Sequence, residues 1–184
     1  MVGGWRGTEF WGSAKALHAT VEFMRYSGSR DFQELVSHVH DLRPRSAVLL
    51  ASWGSYDDAL WWATAYLSAY EVIGDAKYLE SGRGIFDHVF SVAWDSSVCS
   101  GGLWWSSKRA YKNAITNELA LYASAWLFLL SRDKKYLHSA ETIWRWFNRS
   151  GMINPHKLVN DGLDTDCCTN NGELTWTYNQ GVIL

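Results

Sequence analysis

Two kinds of helical pattern alternate along the chain. Residues 58–73 and 115–130 are apolar nearly all the way round, which is typical of helices that are buried on every side. Residues 31–42, 78–93 and 134–149 carry apolar residues on one face at helical spacing, with charged residues between them. The chain is therefore predicted to be almost wholly helical, with buried and half-exposed helices in alternation.

The hairpins of this pattern repeat in sequence. The segment GDAKYLESG at 74–82 recurs as RDKKYLHSA at 132–140. Repeated helix hairpins build either an open solenoid or a closed α/α toroid. Helices of a one-layer solenoid usually keep an exposed face, and the buried helices here have almost none. The pattern favours an all-α toroid, of which residues 1–184 would form one partial domain.

The pattern contains three hairpins and the start of a fourth. The segment TYNQGVIL at 177–184 is typical of the beginning of another buried helix, and no cap or polar turn closes it. We therefore expect the ring to be truncated to about half, which would leave the apolar flanks of the end helices exposed.

Composition narrows the class of ligand. Apolar residues make up 47% and charged residues 20%, so the chain is globular, and a net charge of -2 without a basic run argues against nucleic acid as a partner. No apolar run approaches the roughly 18 residues of a membrane span, so none is predicted. Twelve tryptophans and nine tyrosines suit a cleft for a polar ligand that has apolar faces.

The stretch WGSYDDALWW at 53–62 sets Asp57 and Asp58 side by side among Tyr56, Trp61 and Trp62. One interpretation is structural, because carboxylates at the start of a helix accept backbone N–H bonds and gain from the helix dipole. The other is catalytic, because a pair at a loop-to-helix junction could present both side chains to one cleft, at the roughly 5–5.5 Å of a retaining glycosidase.

Polar and aromatic residues also precede the other buried helices. Residues 101–118 and 160–181 contain Trp104, Trp105, Lys112, Asn113, Asn117, Glu118, Tyr178, Asn179 and Gln180. Rings on which sugars stack, beside amide and ammonium donors, suit a polyhydroxylated ligand. The structural alternatives are a tryptophan pair that plugs the core and ordinary turn chemistry in the second segment.

The cysteines and the missing motifs exclude other chemistry. Cys99, Cys167 and Cys168 have no metal-type spacing, so the choice is a disulfide from Cys99 to Cys167 or to Cys168, or three free thiols. No nucleotide-binding, nucleophilic-serine or metal motif is present. We therefore expect neither a cofactor nor a metal ion.

Several of these motifs together resemble those of glycoside hydrolase family 76. YDDALWWA, GDAKYLESG, GGLWWSSKRAYKNAITNEL, LVNDGLD and TWTYNQGVIL follow one another in the family's order, from about residue 5 to residue 184. The resemblance implies an (α/α)6 toroid about twice as long as this chain. Members are α-1,6-mannanases and related fungal cell-wall transglycosylases.

The resemblance also implies roles for the two aspartates. Asp57 would be the nucleophile, with the lower pKa, and Asp58 the acid/base, with the higher pKa. The implied partner is an α-mannan polysaccharide, cleaved by hydrolysis or moved to another sugar. A complete chain is expected to be a monomer outside the cell or in the cell wall. The opening MVGGWRGTEF lacks the basic and then apolar pattern of a signal peptide, so none is expected in these 184 residues. The alternative from another class is a non-catalytic remnant that only binds glycans.

Overall fold

Helices dominate the computed structural model, which describes residues 10–183 apart from the side chain of Ala51. In chain order they are α1 (Phe10–Ser27), α2 (Gln33–Leu42), α3 (Arg45–Ala51), α4 (Tyr56–Ile73), α5 (Ala76–Ala93), α6 (Ala114–Ser131), α7 (Lys134–Phe147) and α8 (Thr177–Val182). Three short strands, β1 (Lys112–Asn113), β2 (Gly162–Asp164) and β3 (Thr169–Asn170), pair antiparallel in the order β1-β2-β3.

The predicted helices agree with these bounds to within two residues. The two buried patterns are α4 and α6, and the three one-faced patterns are α2, α5 and α7. The predicted fourth helix corresponds in position to α8, but it is not a buried helix among the described residues, because Asn179 is its one buried side chain; Leu184 lies outside the described residues. The small sheet, α1 and α3 have no counterpart among the predicted elements.

The described residues form two compact units. One comprises the residues up to Gly54 together with Asp58–Asp87, and the other comprises Ser55–Asp57 together with the residues from His88 onward. The division falls between the two adjacent aspartates, inside the first turn of α4.

Aromatic packing forms the core of the first unit. The rings of Tyr66 on α4 and Tyr78 on α5 stack with centroids 6.5 Å apart, and the His40 ring meets each edge-on. Helix α5 lies so close to α4 that a Cβ on Gly82 would come within 2.9 Å of the Leu67 side chain. Most of the α4 side chains are buried as a result, as the all-apolar pattern predicts.

A helix hairpin organises the second unit. Arg132 follows the end of α6, and its φ of 59° turns the chain. Asp133 then caps α7 by accepting a hydrogen bond from the Lys135 N–H over 3.0 Å. Helices α6 and α7 pack along each other, and α8 packs on α6. The buried core between these helices and the small sheet consists of Ala114, Trp146, Phe147, Met152, Val159 and Leu163.

Helix α6 has the length and mean hydropathy, 1.2, of a helix that could cross a membrane. However, 61% of it is buried inside the protein, and core helices meet the same criteria. Its apolar character is therefore accounted for by packing within the second unit.

Candidate active site

Asp57 belongs to the second unit and lies beside an aromatic loop of the same unit. The Tyr56 N–H donates to the Trp105 carbonyl over 2.8 Å, and Ser55 and Ser106 pair as an isolated β-bridge. The Trp105 indole Nε1 donates to Oδ1 of Asp57 over 3.1 Å. The loop thus fixes the backbone before the helix and also orients the Asp57 carboxylate. Asp58 follows it in the same helical turn.

Tyr111 supports Trp105 from the side. The Trp105 N–H donates to the Tyr111 carbonyl over 2.7 Å, and the two rings meet edge-on at 6.5 Å. The Tyr111 hydroxyl bonds to the Asp161 carboxylate and accepts from Asn171 Nδ2 over 2.9 Å. Burial, together with Asp161, raises the pKa of Tyr111. Tyr111 and Asp161 were not among the predicted site residues, although both lie in the motifs quoted above.

Tyr178 on α8 lies among carboxylates of the second unit. Burial raises its pKa to about 12, and the negative charges of Asp161, Asp57 and Glu118 add to the effect. Its ring is 41% exposed and stacks on the Trp176 ring at 5.9 Å with only 8° between the planes. An exposed aromatic surface therefore lies close to the Asp57 carboxylate.

Glu118 is a buried acid whose carboxyl oxygens have no hydrogen-bond partner among the described residues. Its side chain is 1% exposed, and neither carboxyl oxygen has a hydrogen bond within the described part of the chain. Burial raises its pKa to about 9, so the acid is neutral at pH 7. Asn179 on α8 is also fully buried, with both polar atoms of its amide unpaired among the described residues. Such groups cost free energy unless a ligand or water satisfies them.

The buried ammonium group of Lys112 organises the 95–101 loop. Its Nζ donates to the carbonyls of Asp95, Val98 and Gly101, each over 2.7 Å, and lies 4.6 Å from the centroid of the Trp104 ring. All three ammonium protons are used, so none remains for a sugar hydroxyl.

Two predicted asparagines make hydrogen bonds within the protein, and those of Asn117 engage its whole amide. Asn113 caps α6 by accepting from the Thr116 N–H. Asn117 Oδ1 accepts from the Leu103 N–H over 2.7 Å, while Nδ2 donates to the carbonyls of Leu103 and Asn113. These two side chains hold the loop that carries Trp105 against α6.

Four further predicted residues also make internal contacts. Trp104 is 4% exposed and donates from Nε1 to Asp95. Gln180 bonds to both the N–H and the carbonyl of Val159. In the first unit, Trp62 is fully buried in the core, and the Lys15 ammonium lies 4.5 Å from the Trp61 ring centroid.

A disulfide ties two loops of the second unit together. Cys99 is bonded to Cys168, and Cys167 is a free, exposed cysteine. Of the alternatives open from the sequence, the structure has the pairing of Cys99 with Cys168. The bridge connects the loop after α5 to the β2–β3 turn.

Carboxylates beside exposed aromatic rings, on a framework of helix hairpins, define the kind of site that glycoside hydrolases use. The family model of glycosyl hydrolase family 76 matches residues 1–184, and the chain belongs to that family.

The chain is similar in sequence to proteins named mannan endo-1,6-alpha-mannosidase. The mannan endo-1,6-alpha-mannosidase DCW1 of Eremothecium gossypii is 32% identical over 145 residues, which cover 70% of this chain and 32% of that protein. The mannan endo-1,6-alpha-mannosidase DFG5 of Saccharomyces cerevisiae is 28% identical over 196 residues, which cover 95% of this chain and 42% of that protein. The chain thus spans about a third to two fifths of these relatives.

Solved structures share the fold. An inactive variant of the α-1,6-mannanase of Salegentibacter sp. HEL1_6, in complex with α-1,6-mannotriose, superposes with a TM-score of 0.81 at 20% identity, covering 95% of this chain and 52% of that one. Dfg5 from Chaetomium thermophilum, in complex with glucosamine, superposes with a TM-score of 0.84 at 19% identity, covering 96% of this chain and 47% of that one. The predicted fold class, helical hairpins of the (α/α)6 type spanning about half a family domain, is confirmed.

Proposed function

We propose that this chain carries the catalytic carboxylates of a retaining glycoside hydrolase that acts on α-1,6-linked mannan. The observation that carries the proposal is the hydrogen bond from Trp105 Nε1 to Oδ1 of Asp57. A donor aimed at one carboxylate oxygen stabilises its negative charge and fixes its direction, which is what a nucleophile requires. The oxygen that does not accept from Trp105 is the one assigned to attack.

The assigned roles divide the reaction into two steps. In the first, an Asp57 oxygen bonds to the anomeric carbon while the glycosidic bond breaks, and Asp58 gives its proton to the departing sugar oxygen. In the second, Asp58 takes a proton from water, whose oxygen displaces Asp57 from the anomeric carbon. An acceptor sugar in place of water would give transglycosylation by the same steps.

A solved relative supports the assignment of the adjacent pair. The inactive variant of the Salegentibacter mannanase has two consecutive aspartates replaced by asparagine, and it holds α-1,6-mannotriose. Asp57 and Asp58 are consecutive in this chain and belong to the motif YDDALWWA. The names of the curated relatives support α-1,6-mannan as the substrate.

The substrate contacts are assigned to the accessible side chains. Trp105, 40% exposed, and Tyr178, 41% exposed, offer ring faces on which a mannosyl ring can stack. Glu118 and Asn179 have unused hydrogen-bonding atoms, and we assign them to a sugar hydroxyl or to a water that enters with the substrate. Lys112 and Asn117 are assigned to the scaffold because their side-chain donors and acceptors are occupied, and Asn113 is assigned to the scaffold because its amide oxygen caps α6.

The disulfide bears on the compartment in which the protein works. Disulfides persist in oxidising surroundings, such as the outside of the cell. The Cys99–Cys168 bridge therefore supports an extracellular or cell-wall location.

Hydrolysis of linear α-1,6-mannan by the 184-residue chain tests the proposal. Asp57→Asn and Asp58→Asn should each abolish turnover without loss of helical circular dichroism, whereas the exposed loop variant Asp166→Asn should keep it. NMR of the first product released should show the α-anomer, because two displacements restore the configuration. Turnover that survives in either catalytic variant, or a β-anomer, would reject the roles, and no turnover in a folded wild-type chain would reject activity of this chain.

A further inference from the structure

A cavity lies in the second unit, and none of its lining residues belongs to the proposed active site. Its volume is about 740 Å³, and it lies between the end of α7, the loop after α5 and the Cys99–Cys168 disulfide. Ligand sites in proteins commonly have volumes of a few hundred to about 1,000 Å³. The cavity is therefore large enough for a saccharide.

The walls of this cavity are held firmly. The Trp146 indole Nε1 donates to the Cys99 carbonyl over 2.9 Å, and the Trp94 ring meets Trp146 edge-on at 6.4 Å. The loop can lie directly on Trp146 because it contains glycine: a Cβ on Gly101 or Gly102 would come within 2.6 or 2.3 Å of that ring. The cavity is thus formed before any ligand arrives, which lowers the entropic cost of binding.

The charge of the cavity lining is positive. Arg145 lies in the last turn of α7 and Arg149 one turn further along, and both line the cavity, whereas no aspartate or glutamate does. Arg145 Nε donates to the Glu141 carbonyl over 3.1 Å, and its Nη2 lies 3.8 Å from the Glu141 carboxylate, with both side chains more than half exposed. Arg149 has no ion pair within residues 10–183. Two guanidinium groups with unused donors are suited to bind an oxyanion with paired hydrogen bonds.

Neutral groups of the lining suit the rest of a sugar. Trp94 contributes a partly buried indole, and the hydroxyls of Ser100 and Thr142 make no hydrogen bonds to the described residues. The indole, the two hydroxyls and the two arginines of the lining are together complementary to a sugar ring that carries an anionic group. An arginine at a helix C-terminus also interacts favourably with the helix dipole. That structural role would explain the two arginines but neither the cavity nor the hydroxyls that line it.

We propose that this cavity binds an anionic saccharide, with Arg145 and Arg149 on its phosphate or carboxylate group and Trp94 against the sugar ring. This site is independent of the proposed catalytic pair, so it can be tested whether or not the chain cleaves mannan.

Titration calorimetry and NMR with four probes test the proposal: mannose 6-phosphate, glucuronate, mannose and inorganic phosphate. Mannose 6-phosphate, glucuronate or both should bind more tightly than mannose and than phosphate, and should shift the Trp94 indole N–H signal, assigned with Trp94→Phe. The comparison of the first two probes separates phosphate from carboxylate as the preferred anion. Arg149→Gln should weaken the binding at least about fivefold, because a charged hydrogen-bond donor is lost.

Arg132→Gln is the matched control, because it removes an exposed arginine that directly follows α6 and does not line the cavity. It should bind as the wild type does. Three results would overturn the proposal: no binding of either anionic sugar, sugar binding no tighter than that of inorganic phosphate, or equal loss in Arg132→Gln and Arg149→Gln. Each would mean that the cavity does not recognise an anionic saccharide.

Discussion

Trp105 and Asp57 are 48 positions apart in the chain, yet the Trp105 indole N–H donates to the Asp57 carboxylate over 3.1 Å. The same tryptophan accepts the Tyr56 N–H at its carbonyl, so two hydrogen bonds fix the first turn of α4 against the aromatic loop. The direction of the proposed nucleophile therefore depends on the loop as much as on its own helix.

Trp105→Phe should lower kcat for α-1,6-mannan while changing KM little. Phenylalanine keeps an aromatic face for the sugar but cannot donate to Asp57. A hydrogen bond to a charged group contributes roughly 1.5–3 kcal/mol, so the expected loss in kcat is about tenfold to hundredfold. Steady-state kinetics on linear mannan measure it.

Trp176→Phe is a suitable control, since it changes another exposed tryptophan near Tyr178 without touching Asp57. A loss confined to KM in Trp105→Phe, with kcat unchanged, would show that Trp105 serves only as a stacking surface. Equal losses of kcat in both variants would likewise contradict the orienting role.

Sequence patterns located the elements and the motifs, but they could not give side-chain direction. The period of apolar residues placed five helices to within two residues, because burial of one face or of all faces leaves a local signal. Lys112 and Asn117 were also predicted to be site residues. However, the Lys112 ammonium faces backbone carbonyls and not a ligand because of the path of the 95–101 loop. That path depends on the contact of Gly101 and Gly102 with Trp146, which is distant in sequence.

The reverse case is Tyr111, for which no sequence pattern indicated a role in the site. Its hydroxyl joins Asp161 and Asn171, which are about fifty residues or more away, through the pairing of β1 with β2. Strands of two or three residues have too little periodicity to be predicted, so this contact was not foreseeable.

Lys112→Met should destabilise the protein by about 3 kcal/mol or more. The change keeps a long side chain but removes the Nζ donor. The Val98 carbonyl still accepts from the Gly101 N–H over 3.4 Å, whereas the carbonyls of Asp95 and Gly101 lose their donor, which costs roughly 1–3 kcal/mol for each that stays buried and unpaired. Urea unfolding followed by tryptophan fluorescence measures the loss. Lys108→Met changes an exposed lysine of the neighbouring loop and should alter stability by no more than about 0.5 kcal/mol. A loss of similar size in both variants would contradict the structural role of the Lys112 ammonium.

Glu118→Gln should change the way stability depends on pH. Burial raises the pKa of Glu118 to about 9 from an ordinary 4.5, so the folded protein holds a proton that the unfolded chain releases between these values. Stability contributed by the neutral acid is complete below about pH 4.5 and falls as the pH rises toward 9. Glutamine is neutral throughout, so the variant should gain Tm relative to the wild type as the pH rises from 4.5 to 8.

Differential scanning calorimetry at several pH values measures that gain. Glu141→Gln replaces an exposed glutamate, and its Tm difference from the wild type should stay nearly constant over the same range. A difference between Glu118→Gln and wild type that does not grow with pH would mean that Glu118 is ionised in the folded protein.

Loss of the Cys99–Cys168 disulfide should lower both stability and activity. The bridge closes a separation of 69 residues, for which loop-closure entropy predicts about 4 kcal/mol of stabilisation. It also anchors the loop after α5, which leads directly into Trp105, so the orientation of Asp57 should loosen when the bridge is absent.

Cys168→Ser tests this with Cys167→Ser as the matched control, because the neighbouring cysteine is free and exposed. Cys167→Ser should keep wild-type stability and kcat, whereas Cys168→Ser should unfold at lower urea concentration and lose kcat. Equal behaviour of the two variants under non-reducing conditions would mean that Cys99 pairs equally well with either cysteine, and that the position of the bridge does not govern the loop.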